Sequence, residues 1–326
     1  MIRFFRSPQP AALFVIPFIT ILLWIQAWNE LPVFNGGVTA PLWSMLVPFF
    51  SALPSWLNGL IMVGTVSGGA IYFNLLINKS DVLYKNSYMP SLMYVLLSSA
   101  LLPVLQVHPL HFINLLLLRL LAATFSFFKK EKAIRQIFNG GFLVSVIVLL
   151  YLPLLPLLFF YLVVIGLMRT FDVREWLTAL VGMLLPVFFL AVWWFPDTLI
   201  NQCKLLLDYS AHYKVPGWKK FSVHVYWLTG YLVVLLLFAL IRLRSHYYKN
   251  IVRTRLYQQS ILLLLLFSVA ALYLMEECRP ANFLLLVVPM AVVLAYYFIS
   301  SKRKMWMYEF MLWGIVGLIL WNHTNW

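Results

Sequence analysis

"FLVSVIVLLYLPLLPLLFFYLVVIGLM", residues 142–168, decides how the rest of the chain is read. The run is long enough for one membrane crossing with residues to spare, yet Pro153 and Pro156 stand at its centre. Proline has no amide hydrogen to donate and its ring clashes with the preceding turn, so a Pro-x-x-Pro pair breaks a helix. We read two short helices, 138–152 and 153–168, that form a hairpin or a tilted pair. One crossing instead of two would invert the side of every later segment.

Working outward, 63% of the 326 residues are hydrophobic, 10% are charged and the mean hydropathy is +0.90. A soluble domain has no such composition. Several runs reach the roughly 18–20 apolar residues that cross about 30 Å of hydrocarbon as a helix. Spans are expected at 10–28, 56–77, 88–106, 109–127, 138–152, 153–168, 175–196, 221–241, 257–275, 281–299 and 306–322. The fold class expected is therefore all-α: a polytopic transmembrane helical bundle of about eleven spans in a single integral membrane domain, 1–326. Continuous apolarity without period-two alternation argues against a barrel. The N-terminal run, with Arg3 and Arg6 ahead of it, lacks a small-x-small cleavage site and is read as a retained span.

Lys and Arg in short loops stay in the cytoplasm, which tests this order independently. With the N-terminus inside, eighteen of the 24 cations fall in inner segments, and only Lys204, Lys214, Lys219, Lys220 and Arg279 in outer ones. The last, Arg119, lies within the fourth span, where it either snorkels to the cytoplasmic end or faces inward toward an acid or a lipid phosphate. The expected localisation is the inner membrane, with the N-terminus cytoplasmic and the C-terminus periplasmic. Positive-inside bias and attraction to anionic lipid account for the formal charge of +14, so no nucleic-acid partner is implied.

Titratable groups crowd the outer side. Glu30, Asp197, Asp208, Glu276 and Glu277 fall there, with His108, His212 and His323, and with His111 and His224 just inside span mouths. Two outer segments do not cross: 29–55, whose "PLWSMLVPFFSAL" reads as an interfacial helix, and 197–220, an amphipathic stretch ending in a Pro-Gly turn. Together they could roof a cavity. Cys203 and Cys278 share that oxidising side, where a disulfide can form.

"RPANFLLLVVPMAVVLA", 279–295, resembles the arginine-bearing start of a late helix in GT-C membrane glycosyltransferases. "AIRQIFNGGFLVSVIVLLYLPLLPLLFFYLVVI", 133–165, is similar to the short paired helices of that fold. A lone acid, Glu30, soon after the first span and ahead of an interfacial helix also suits it. The chain looks still more like a family of uncharacterised integral membrane proteins typical of Bacteroidetes. That likeness rests on "FFRSPQP", "MPSLMYVLLSSALLPVL", "IFNGGFLVSVIVLLYLP" and "REWLTALVGMLLPVFFL". It covers most of the chain and implies no activity.

The GT-C resemblance implies transfer of a sugar from a polyprenyl-phosphate lipid carrier at the outer face. Such chemistry needs a carboxylate to deprotonate an acceptor hydroxyl or hold a divalent metal, and cations for the departing phosphate. Glu30 is then the catalytic acid and Arg279 the lipid-phosphate partner, supported by Glu276, Glu277, Asp197, His108 and His111. No cofactor other than that metal is implied. The first outer loop lacks the paired acids of such enzymes, so a non-catalytic membrane subunit or assembly factor of an envelope complex is the alternative. A small-molecule transporter is weaker, because no inverted repeat is visible.

Each residue also has an ordinary reading. His108 and His111 are spaced as metal ligands on a helix, but no third ligand is near in sequence. Glu276 and Glu277 suit a solvated helix end, and "REWLTAL" an interfacial anchor. No Walker loop, dinucleotide fingerprint, nucleophile elbow or CxxC motif occurs.

Overall fold

The computed structural model describes residues 1–7, 9–28, 31–35, 40–83, 85–101, 104–128, 133–193, 222–275, 280–300 and 305–324, the side chains of His246 and Lys249 excepted. Among them are thirteen helices and one isolated bridge. In chain order the helices are α1 (Ile2–Arg6), α2 (Ala11–Trp24), α3 (Pro41–Ala52), α4 (Ser55–Lys79), α5 (Met89–Ser98) and α6 (Pro109–Ser126). There follow α7 (Ile134–Leu150), α8 (Pro156–Met168), α9 (Val173–Trp193) and α10 (Val223–His246). The last are α11 (Val252–Tyr273), α12 (Val287–Ile299) and α13 (Met305–Thr324).

Every expected span coincides with a helix, but six are long and apolar enough to cross a membrane: α4, α6, α9, α10, α11 and the segment Pro280–Ile299 that ends in α12. That makes the chain a multi-pass membrane protein. Shorter apolar helices stand at Ala11–Ala27, Pro41–Ala52, Met89–Ser98, Ile134–Leu150 and Leu152–Met168. The break expected at the Pro-x-x-Pro pair is present: Tyr151 is extended, a single 3₁₀ turn covers Leu152–Leu154, and α8 starts on Pro156. Proline at a first helical position loses no hydrogen bond, which is why the same residue that ends one helix can start the next. The Tyr161 hydroxyl donates to the Ile137 carbonyl at 2.6 Å, folding α8 back along α7 as a hairpin. The third expected span is shorter than its apolarity suggested, because helix α5 stops at Ser98.

Backbone left irregular among apolar helices must find partners, since an unpaired carbonyl there costs several kcal/mol. The stretch after α5 finds them in side chains. His323 Nε2 lies 3.0 Å from the Ser99 carbonyl, Trp24 Nε1 donates to Ser99 Oγ at 3.0 Å, and His111 Nε2 lies 3.1 Å from the Val104 carbonyl. A carbonyl only accepts, so both histidines carry the proton on Nε2. On the opposite side of the same segment, Val107 forms a parallel bridge with Val33.

At the centre, α5 and α12 pack together, and every residue of both is buried. A seven-residue 3₁₀ stretch, Pro280–Leu286, leads into α12, and Asn114 of α6 donates to its Leu284 carbonyl at 3.1 Å. Helices α7 and α9 cross in direct backbone contact. A Cβ on Gly141 would meet the Ala179 carbonyl oxygen at 2.5 Å, and one on Gly182 the Phe138 oxygen at 2.5 Å.

Long-range contacts sort the described residues into two ends. At one, the Tyr88 amide donates to the Phe5 carbonyl at 2.7 Å, the N-terminal ammonium meets Glu309 at 3.2 Å, and Thr254 and Gln258 donate to the carbonyls of Asp81 and Val82. At the other are the Val33–Val107 bridge, the ties to Ser99, and Asn322 donating to His224 at 3.2 Å.

Candidate functional site: a basic cleft between α4, α6 and α11

Helix α4 presents Tyr72, Leu75, Leu76 and Lys79 as one stripe, at the i, i+3, i+4, i+7 positions that share a helical face. Against it α6 sets Arg119, Ala122, Phe125 and Ser126. The N-terminal turns of α11 close the third side with Arg253 and Tyr257. The open cleft between them holds about 820 Å³, the size of a small-molecule site.

Its floor is rigid. Tyr257 is buried, stacks on Phe125 with ring centroids 4.3 Å apart, and donates its hydroxyl to the Phe125 carbonyl at 2.8 Å. Helix α11 is docked to the turn after α4 by Thr254 and Gln258, at 3.1 and 3.0 Å from the carbonyls they bind. That turn needs Asp81 in the left-handed region, φ 50°, which Asp tolerates better than most residues.

Three cations face this space from three helices. Lys79 is exposed in the last turn of α4, where the helix dipole favours positive charge. Arg119 is exposed on the flank of α6, with its Nη1 3.5 Å from the Tyr72 hydroxyl. Among the described residues no carboxylate pairs with it. Arg253 lies 3.7 Å from Asp81, with the two side chains 42% and 65% exposed, and its guanidinium stands 5.6 Å from the Tyr257 ring centre. Its Nε is buried without a hydrogen-bond partner among the described residues. Among the described residues no acid lines the cleft, so what these residues can do chemically is hold an anion, with Leu75, Leu76, Ala122 and Phe125 offering apolar contact alongside.

The residues singled out from the sequence lie elsewhere. Glu30, Asp197, Glu276, Glu277, Arg279 and both cysteines, Cys203 and Cys278, fall outside the described residues, as does the whole 197–220 segment. The stretch expected to lie in the interface contains helix α3, with Trp43 and Phe50 buried against Phe112 and with Met45, Leu46 and Phe49 exposed. His108 and His111 are both buried. His108 caps α6 by accepting the Leu110 amide at Nδ1, 3.2 Å away, and its ring packs 4.3 Å from Phe34. His111 is the backbone tie described above, and the two belong to the wall between α2, α6 and the irregular stretch. Among the described residues no three His, Cys, Asp or Glu side chains are grouped to hold a metal. "REWLTAL" is more than an anchor, because Glu175 is buried and forms a bidentate ion pair with Arg169, Nε to Oε2 at 3.0 Å. Arg169 Nη1 also reaches the Phe127 carbonyl at 3.4 Å, fastening the α8–α9 turn to the end of α6.

Reading the sequence alone missed Tyr72, Lys79 and Arg253 as partners of Arg119. The signal within reach was the seven-residue spacing of Tyr72 and Lys79 on one helical face.

A family model described as a family of unknown function, DUF6427, matches residues 38–325. The chain belongs to DUF6427. The matched region includes all three walls of the cleft and excludes α1 and α2. This agrees with the expected kinship to uncharacterised membrane proteins and leaves the GT-C likeness resting on the sequence motifs. No curated protein and no solved structure matches this DUF6427 chain.

Proposed function

We propose that this DUF6427 protein is an eleven-crossing inner-membrane protein, N-terminus cytoplasmic and C-terminus periplasmic, that holds the phosphate-bearing head of a membrane lipid in the cleft between α4, α6 and α11. The observation that carries the reading is that Lys79, Arg119 and Arg253 line one open cleft with an apolar flank and, among the described residues, no acid. Cations between helices near a membrane surface recognise phosphate heads, and a guanidinium binds phosphate oxygens in a fork. Four of the shorter apolar helices, α2, α5, α7 and α8, and α13 supply the remaining five crossings, in contact with neighbours that relieve them of spanning alone. Positive-inside bias puts the cleft at the cytoplasmic end.

This reading favours a lipid-handling subunit of the envelope over a transferase, because the described lining consists of cations and apolar groups suited to holding an anion. Sugar transfer from a polyprenyl-phosphate carrier through Glu30 and Arg279 remains the second expectation, supported by the GT-C-like motifs of the sequence.

Two measurements test the proposal. Purified protein is expected to retain phosphate-bearing lipid through detergent exchange, seen by native mass spectrometry, and Arg119→Gln with Arg253→Gln should lower that occupancy about tenfold or more. Unchanged occupancy in a variant with an unaltered melting curve would refute the site. For sidedness, a reporter active only in the cytoplasm should be active after Lys304 and silent after Trp326. The reverse pattern overturns the orientation.

A further inference from the structure

The charge inventory of the cleft points to one class of lipid head. Resting on the lipid reading above, we infer that the cleft formed by Lys79, Arg119 and Arg253 selects a terminal phosphomonoester or diphosphate over a phosphodiester, and that Asp81 holds Arg253 until that head arrives. Among the described residues the lining carries three positive charges and no negative one. Asp81 stands just outside and is paired with Arg253 at 3.7 Å, which leaves a net of two positive charges to be met. A phosphodiester lipid brings one negative charge, and a zwitterionic lipid none in net. A phosphomonoester brings about 1.5 to 2 at neutral pH and three acceptor oxygens on one phosphorus.

The donors match that count. Arg119 and Arg253 come from different helices and Lys79 from a third, so the donors approach the one cleft from three sides. A phosphodiester has two of its four oxygens esterified, leaving fewer acceptors for the same donors. Arg253 also keeps a buried Nε without a partner among the described residues, a fork whose second prong is unused. The N-terminus of α11 beside it has no side-chain cap, so its positive end adds to the same field.

Asp81 is suited to be displaced. Its pair with Arg253 is long and solvent-exposed on both sides, the kind that contributes little and exchanges readily. Its position is set by the backbone, through the left-handed turn and the Thr254 hydroxyl bound to its carbonyl at 3.1 Å, so the carboxylate stays beside the cleft after Arg253 leaves it. An apolar flank of Leu75, Leu76, Ala122 and Phe125 then distinguishes a lipid-borne phosphate from a free one.

The test uses the full chain in phosphatidylcholine nanodiscs, titrated with dioleoyl phosphatidate, dioleoyl phosphatidylglycerol or polyprenyl monophosphate, and separately with inorganic diphosphate. The two dioleoyl lipids share their tails and differ in head charge. Phosphatidate and polyprenyl monophosphate are expected to bind about tenfold tighter than phosphatidylglycerol. Asp81→Asn, which keeps a residue tolerant of the left-handed turn, should tighten phosphatidate binding about threefold or more. Arg119→Gln should cost more for phosphatidate than for phosphatidylglycerol. Equal affinity for the two dioleoyl lipids, abolished in both by Arg119→Gln, would overturn the head-group selectivity and leave the lipid site standing. Inorganic diphosphate binding as tightly as the lipids would overturn the lipid reading itself. Binding of no probe by a protein with a wild-type melting curve overturns both.

Discussion

Gly182→Leu is expected to push α7 and α9 apart and to destabilise the protein by about 3 kcal/mol or more, the upper range for forcing volume into a packed contact. The reason is the partner. A Cβ at Gly182 would lie 2.5 Å from the Phe138 carbonyl oxygen, and one at Gly141 2.5 Å from the Ala179 oxygen, so what must move is main chain on both helices. A flexible side chain could swing aside, but a helical carbonyl carries its hydrogen bond with it. Small residues permit such approach between membrane helices, where close van der Waals contact replaces the hydrophobic drive available in water. Gly140 adds a third constraint, since a Cβ there would collide with the Tyr161 hydroxyl that donates to Ile137. Gly64 and Gly68 of α4 face open space and make the control. Alanine at either should be neutral or gain up to about 1 kcal/mol from helix propensity. Thermal unfolding in one detergent across the four variants Gly141→Ala, Gly182→Leu, Gly64→Ala and Gly68→Ala checks this. Equal melting temperatures would mean that the α7–α9 crossing is looser than its geometry.

The second large effect concerns Glu175. Its side chain is 5% exposed and that of Arg169 15%, and the two form a bidentate pair. Glu175→Ala leaves a largely buried guanidinium without its carboxylate, which costs about 3–5 kcal/mol when one partner of a buried pair is removed. The double variant Arg169→Met with Glu175→Leu should recover most of that loss, because desolvating both charges was itself expensive. Recovery separates the charge effect from loss of packing: if the double variant melts as low as the single one, shape and not charge holds this turn. The consequence reaches further than the pair, since Arg169 also reaches the Phe127 carbonyl, next to the Phe128 that lines the cleft. Lipid binding should therefore weaken in Glu175→Ala and return in the double variant.

What the sequence by itself determined is the set of helices and the multi-pass membrane character of the chain. Hydropathy, the Pro-x-x-Pro break and the distribution of cations are local properties, and partition into an apolar phase responds to local composition. Hence the hairpin at Pro153 and Pro156, the short helix α3 and the six long apolar helices all stand where their residues suggested. Helix ends were less legible. The helix begun at Met89 stops at Ser98 although apolar residues continue, because His111 and His323, distant in sequence, bond carbonyls of the backbone it leaves unwound, and Trp24 holds the Ser99 hydroxyl. Only the tertiary structure decided the rest. Glu175 read as part of an interfacial anchor until its buried pair with Arg169 was seen, and Arg119, read as snorkelling or facing inward, had no named neighbours until α4 and α11 were set beside it. Tyr72, Arg119 and Arg253 are separated by 47 residues or more along the chain, and nothing local to any of them encodes the others. Their convergence depends on which helices pack as neighbours, and that is settled by the fit of whole helical faces.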